Sequence, residues 1–429
     1  MKNDLLFTLK NLKGNPKACL LTEPLWSIPY NLYIPFASVY AKALGLSESQ
    51  IGLIATVGML FQVLASLFGG LVCDKMGRRK STVIFDILAW SVPMLLWMVA
   101  QNFWWFLAAS IMNSMWQITN NSWNCLLVED ADPKQLVSIY IWVSISGLLS
   151  VFFAPLSSLL VKELTVIPAM RILYGVTFLL MTAKFLILYW TTTETRIGIR
   201  RMEETKDLSY ITMLRQYGGV TKNLLRSRPT LLVLTLMTLV SITNLVTGTY
   251  YSIYVTEELG LPTATLALLP MLWAAVMLVF NLGLQGFLTK LPFRPVMLTG
   301  LLMKIAGFTL LMLAPHDRIG WIIAYALLSA IGNGLFLPRV DSLKVLLLDS
   351  HERARTQALM YVLTIGVASP FGWLMGWLYE VNPQIPFYAL VGLLLSCFLL
   401  CAVTKNLSPD NLKTAEIQTQ NILEGNTAK

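Results

Sequence analysis

Charge is scarce in this sequence. Only 13% of its 429 residues are Asp, Glu, Lys or Arg, about half the share of an ordinary soluble domain, while 56% are hydrophobic. A chain of that make-up cannot clothe itself for water, which excludes a soluble globule. Histidine is rarer still: His316 and His351 are the whole complement, both expected at loop edges. No Ser/His/Asp set, no Walker-type glycine loop and no His-x-x-x-His pair is present. An intramembrane enzyme would need such a constellation facing a cavity, so an enzyme and an ATP-driven pump are both disfavoured, and no cofactor or metal is expected. The five cysteines, Cys19, Cys73, Cys125, Cys397 and Cys401, fall in or at the ends of apolar stretches without metal or disulfide spacing and read as small packing residues. A cleavable leader is not expected either. Residues 1–17 carry four lysines, and no small-residue cleavage site follows the first apolar stretch.

What the sequence does have is long apolar runs. They come in blocks of about 20 residues or more, the length that crosses a hydrocarbon layer about 30 Å thick. Spans are expected near 20–43, 49–73, 81–101, 103–128, 136–161 and 167–192, then 229–255, 263–289, 295–314, 319–347, 356–379 and 385–404. The fold class is therefore an all-α membrane protein of twelve transmembrane helices in two six-helix halves, with the lipid bilayer as its solvent. An even number of spans puts both termini on one side.

The net charge of +9 does not point to nucleic acid, because the basic residues sit in short loops on alternate sides of the spans. With both termini cytoplasmic, the outside loops hold only Lys42, Lys162, Arg171 and Arg318, as the positive-inside rule requires of a plasma-membrane protein. The expected organisation is a tail over 1–19, a half over 20–192, a basic cytoplasmic linker over 193–228, a half over 229–404 and a tail over 405–429. Within the linker, Leu208, Ile211, Leu214 and Leu225 are spaced for a helix lying on the inner leaflet, with a solvated loop as the alternative. The halves repeat weakly. Leu126-Leu127-Val128-Glu129 with Asp132 matches Leu346-Leu347-Leu348-Asp349 with Glu352, and Pro155 and Pro370 follow in the next span of each half.

Between the second and third spans runs Gly70-Leu-Val-Cys-Asp74-Lys75-Met-Gly77-Arg78-Arg79-Lys80. It resembles the signature of the major facilitator superfamily: Gly, three residues, Asp, a basic residue, one residue, Gly, then basic residues. Gly70 and Gly77 suit a tight turn with close backbone approach, and Asp74 is placed to meet a basic side chain or a helix N-terminus. Gly70, Asp74, Gly77, Arg78 and Arg79 are thus candidates for a conformational latch, against the plainer reading of a basic loop that only orients the chain. The counterpart between the eighth and ninth spans, Gly286 to Arg294, carries Lys290 where the acid would stand. The resemblance implies a secondary transporter in which the first, fourth, seventh and tenth helices line a central cavity. The Arg and Gln-Gly pair that the family's drug antiporters carry in the fourth span is absent, and the fifth offers only Gly147 and Ala154-Pro155.

Polar side chains are costly in a span unless they face water or a partner. In the fourth span Asn113, Gln117, Asn120 and Asn124 recur on one helical face, flanked by Trp116 and Trp123. Amides beside aromatic faces suit a polyhydroxylated ligand; interhelical hydrogen bonding is the competing reading. Trp26, Tyr30 and Asn31 in the first span, Asn244 and Tyr251 in the seventh and Asn333 in the tenth extend the same candidate substrate pocket. Glu23 and Asp86 are candidates for proton coupling, or for salt bridges to basic loop residues. Arg339, Asp341 and Lys344 form a candidate inner gate held by mutual pairing. Lys184 and Lys304 lie deep in the sixth and ninth spans, and their facing is open. The expected function is alternating access carrying a small polar solute, most readily a sugar taken up with protons, by a single copy of the chain. Efflux of amphipathic compounds by proton antiport is the alternative.

Overall fold

The computed structural model describes residues 11–132, 135–207, 228–284, 288, 291–346 and 353–404. Leu208, Ile211, Leu214, Leu225, Gly286, Lys290 and His351 lie outside them. The described residues are almost wholly helical, with no strand among them. They fall into two compact units, one of residues 1–213 with 262–274, the other of residues 214–261 with 275–429.

The first unit runs α1 (Gly14–Thr22), α2 (Pro24–Tyr33), a 3-10 turn (Ile34–Phe36), α3 (Ala37–Ala43), α4 (Glu48–Met76), α5 (Arg78–Asp86), a π-helical turn (Ile87–Ser91), α6 (Val92–Met98), α7 (Phe103–Asn113), α8 (Trp116–Val128), α9 (Leu136–Val151), α10 (Pro155–Leu164), α11 (Val166–Thr191) and α12 (Arg196–Thr205). After them come α13 (Arg228–Ile253), a π turn (Tyr254–Glu258), a 3-10 turn (Thr263–Ala267), α14 (Leu268–Val279) and a π turn (Phe280–Leu284). The chain then continues through α15 (Phe293–Met312), α16 (Ile319–Leu346), α17 (Arg353–Ala368), α18 (Pro370–Val381) and α19 (Ile385–Val403).

Local sequence explains the helix ends. Ser47 and Gln50 form a reciprocal capping box that starts α4, and Gly77 ends it at φ +86°, a conformation that side chains resist. Asn102 caps α7 and Thr195 caps α12.

Among the described residues nine helices are long and apolar enough to cross a bilayer. The three remaining expected spans are interrupted. Pro24 and Pro35 stand where the first is divided into α1, α2, a 3-10 turn and α3, and Pro29 lies inside α2; each proline withholds an amide donor from the helix. The fourth breaks into α7 and α8 around Ser114 and Met115, where Ser114 Oγ bonds back to Ile111 O. The eighth is 3-10 helix, α-helix and π turn in succession. The third span is continuous but distorted, with the π turn 87–91 directly after Asp86. Pro93 has no amide to give the Ala89 carbonyl four residues back, and the Asn113 side chain supplies the missing donor at 2.8 Å.

Packing follows small residues, since helices in lipid associate through close contact rather than hydrophobic burial. In the first unit α4 approaches α8 at Gly69, where an added Cβ would stand 3.3 Å from Ile118 Cα. In the second unit α15 and α16 meet at Gly300 and Gly332, each of whose Cβ positions lies within 2.9 Å of the other's carbonyl oxygen. Tyr250 on α13 reaches the Gly372 carbonyl of α18 at 2.6 Å. Gly332→Val should force α15 and α16 apart and cost about 1–3 kcal/mol, read as a lower melting temperature in detergent. Gly248→Ala, where an added Cβ meets nothing within 4 Å, should leave it unchanged or raise it.

Candidate functional site

Proline placement and helix pitch together build a pocket inside the first unit. Glu23 stands at the α1–α2 junction, held there by the Pro24 break. Asp86 closes α5 where the backbone widens into the π turn, a distortion often found at functional positions. On α8, Trp116, Thr119, Asn120 and Trp123 step by three and four and share a face. Lys184 enters from α11. These side chains, with Trp26 and Trp90, line a cavity of about 190 Å³.

Lys184 is 4% exposed. Its Nζ donates to Glu23 Oε2 at 2.9 Å and lies 5.7 Å from the Trp26 ring centre and 5.5 Å from that of Trp123. A buried ammonium is tolerable only with a carboxylate and polarisable faces around it. Trp26 is itself fixed by stacking on Tyr30, with centroids 5.0 Å apart and planes at 12°, and by the edge of Trp90 at 5.1 Å. Asp86, 6% exposed, is the second carboxylate of the cavity, beside Thr119. Two acids thus share one ammonium. Full ionisation leaves the pocket with one negative charge, which a proton or a cationic group would neutralise.

Two buried donors on α8 have no acceptor among the described residues: the indole N–H of Trp123, whose side chain lines the cavity, and Nε2 of Gln117, which is outside the lining. The other expected amides are partly used by the chain. Asn113 serves Ala89, Asn31 donates to the Ser27 carbonyl at 2.7 Å, and Asn124 donates to the Asn120 carbonyl at 2.6 Å. Of the expected pocket residues, the structure brings together Glu23, Trp26, Asp86 and Asn120, with Tyr30 stacked behind. Lys184, Trp90 and Thr119 complete the group; the tryptophan could have been found one turn after Asp86, but nothing in the sequence pairs Lys184 with Glu23.

In the second unit, Asn333 accepts from the buried Lys304 at 2.9 Å, Asn244 is exposed, and Tyr251 packs its ring 5.2 Å from Tyr325 with a buried hydroxyl that has no hydrogen-bond partner among the described residues. Of the candidate gate residues, Lys344 acts electrostatically on Asp341, while Arg339 has other partners. Arg339 donates to the Leu335 and Leu288 carbonyls at 2.8 and 3.0 Å, because its guanidinium turns inward while Asp341 is on the exposed side of α16.

At the end of the first unit, Asp74 accepts from Arg78 at 2.9 Å and from Arg201 of α12 at 2.8 Å, and Arg78 reaches Glu129 at 3.1 Å. The hydrogen bond to Asp74 holds the Arg201 guanidinium above its ordinary pKa. Arg79 lies over the Tyr189 ring at 4.5 Å and donates to its carbonyl.

Residues 26–292 and 246–424 match the Major Facilitator Superfamily profile, and the chain belongs to that superfamily. Among curated relatives it is 35% identical over 105 residues to the multidrug resistance protein MdtG of Serratia proteamaculans, covering 23% of this chain and 25% of that protein. It is 28% identical over 165 residues to the multidrug resistance protein MdtH of Photorhabdus laumondii, covering 35% and 36%. The matches therefore span only a quarter to about a third of those relatives' lengths. The fold is similar to that of a solved nucleoside transporter, NupG, with TM-score 0.67 and 15% identity over 95% of this chain and 99% of that one. It is also similar to a peptide transporter, POT, with TM-score 0.68 and 13% identity over 90% and 93%. The protein is a multi-pass membrane protein of that superfamily.

Removing one member of a buried ion pair strands the other. Lys184→Met should cost about 3–5 kcal/mol, and Glu23→Gln/Lys184→Met should regain most of it. Thermal or denaturant unfolding in detergent, arranged as a double-mutant cycle, measures both.

Proposed function

We propose that the protein is a proton-coupled secondary transporter of a small polar organic solute, working by alternating access, and that Glu23, Lys184 and Asp86 carry the coupling. The observation that supports this is the charge count of the first unit's cavity: two buried carboxylates against one ammonium. Proton arrival cancels the surplus charge, and its departure restores a site that attracts a proton again. Orientation follows the lysine and arginine distribution, with both termini cytoplasmic and the chain in the plasma membrane. It acts as a single copy. The signature loop around Asp74 and Arg78 latches one conformation, and the two halves exchange access around the site.

The solute is best read as a sugar or a comparable hydroxylated compound, taken up with protons. Tryptophan faces suit its C–H surfaces, and the Asn120 and Thr119 side chains that line the cavity suit its oxygens. The cavity of about 190 Å³ lies below the roughly 300–1,000 Å³ of drug-sized pockets, which favours a small solute at this subsite. A second reading, efflux of amphipathic amines by proton antiport, draws on the surplus carboxylate among four tryptophans and on the printed names of the curated relatives.

A ligand that binds only the folded state at 100 times its Kd stabilises it by about 2.7 kcal/mol. A panel of mono- and disaccharides beside lipophilic amines should therefore raise the melting temperature of the purified protein with sugars, and Trp123→Phe should weaken the shift. A response to amines alone would favour the antiport reading.

A further inference from the structure

A larger concavity lies within the second unit. It is a groove of about 550 Å³ between α13, α17 and α19, running from Leu231 and Leu400 at one end to Ile242 and Leu393 at the other. Its three walls belong to helices long and apolar enough to cross a bilayer, Thr230–Glu258, Leu359–Val381 and Ile385–Val403, so the groove lies at hydrocarbon depth. It opens sideways. Leu231, Val367 and Leu400 at its rim are exposed, while Leu234, Ile242 and Cys397 form a buried floor.

Four polar side chains enter the lining: Thr235, Thr238, Ser396 and Cys397. The three hydroxyls are already spent on their own helices, donating to the carbonyls of Leu231, Leu234 and Gly392 at 2.9, 2.8 and 2.9 Å. All the other lining residues are aliphatic. A trapped water needs several polar partners, and a polar solute would give up its hydration here without replacement. Hydrocarbon is what such a wall accepts.

Length selects among hydrocarbon occupants. The 11 residues of α13 from Leu231 to Ile242 rise about 16 Å, close to half of a hydrocarbon layer about 30 Å thick. The groove is therefore as deep as one leaflet. A helix about 10 Å across would need roughly 1,250 Å³ over that length, more than twice the space present, whereas an extended acyl chain is slim enough. Charge selects the headgroup. Arg294 of α15 donates to the Cys401 and Ala402 carbonyls, the first from Nε at 3.1 Å, immediately beyond Leu400. Helix α13 begins at Arg228, one turn before Leu231. Two arginines thus belong to the same end of the groove, and basic residues at a membrane boundary attract anionic headgroups.

We propose that this groove is a phospholipid site: one acyl chain lies between α13, α17 and α19, and an anionic headgroup rests at the end marked by Arg228 and Arg294. The site is independent of the solute and of the coupling ion.

The test uses the full-length protein in phosphatidylcholine vesicles doped with phosphatidylglycerol whose acyl chain carries a diazirine. After illumination, labelled peptides are mapped by mass spectrometry. Label should concentrate on 231–242 and 393–400, at least fivefold above α10, whose Leu156 and Leu159 are also exposed. Ser396→Phe and Thr235→Phe fill the mouth from its exposed rim and should each cut this labelling at least fivefold, while Leu395→Phe, exposed but outside the lining, should leave it unchanged. A diazirine phosphatidylcholine should label the groove at least threefold less, and Arg228→Gln or Arg294→Gln should erase that difference. Label spread evenly over the groove and α10, or undiminished by both rim variants, would overturn the proposal. So would equal labelling by the two lipids, or a cross-linked dimer in place of the lipid adduct, which would give the face to a second copy. Should one rim variant fail to fold, the other decides, and the map on the unaltered protein needs neither.

Discussion

An ammonium group in the interior of a helical membrane bundle is the constraint on which the first unit's pocket depends. The effective penalty for burying such an ion is several kcal/mol, and only a well-placed counter-charge offsets it. Lys184 meets that demand with Glu23 and with the faces of Trp26 and Trp123. Each partner imposes a further requirement. Glu23 has to be presented at a break in the first span, Trp26 has to be stacked on Tyr30 and edged by Trp90, and α11 has to bring a lysine to mid-span depth. Asp86 then shares a cavity whose one ammonium is already paired. The proposed coupling rests on that asymmetry, since in a purely structural ion pair the charges balance.

Irregular backbone at this depth is tolerated only where something re-satisfies the freed carbonyls. The distortions of the first unit obey that rule and gather around the pocket. The π turn after Asp86 and the missing amide of Pro93 are accommodated by Asn113, which crosses from α7 to serve Ala89. Asn113 is thereby structural support for the segment that presents Asp86 and Trp90, and Asn120, two turns along, is the amide of that face which lines the cavity. One polar stripe on the fourth span therefore does two jobs, divided by the break at Ser114 and Met115.

The two units solve the buried-lysine problem differently. In the second, Lys304 has an amide oxygen from Asn333 and the ring of Phe336, and Gly332 opens room for its stem. At the signature loop, where water is near, carboxylates and guanidinium groups are instead numerous and interlocked: Asp74, Arg78, Glu129, Glu194 and Arg201. Networks of that kind resist rearrangement collectively more than any single surface pair could, since isolated exposed pairs contribute about 0–1 kcal/mol.

Length and hydropathy alone determined that this chain lives in a bilayer, because the hydrocarbon thickness sets how long an apolar run must be, and twelve such runs are visible without any structure. The signature between the second and third spans was legible for a related reason: glycine and charge at fixed short spacing act within one turn. So was the shared face of Asn120, Trp116 and Trp123, which helix pitch dictates. The pairing of Glu23 with Lys184, 161 residues away, was decided only by tertiary structure, as were the assignment of Asn113 to a backbone carbonyl and the turn of Arg339 toward Leu288 and Leu335. Those contacts depend on which faces of distant helices meet and at what depth, and helix pitch says which residues share a face but not which face it will be packed against.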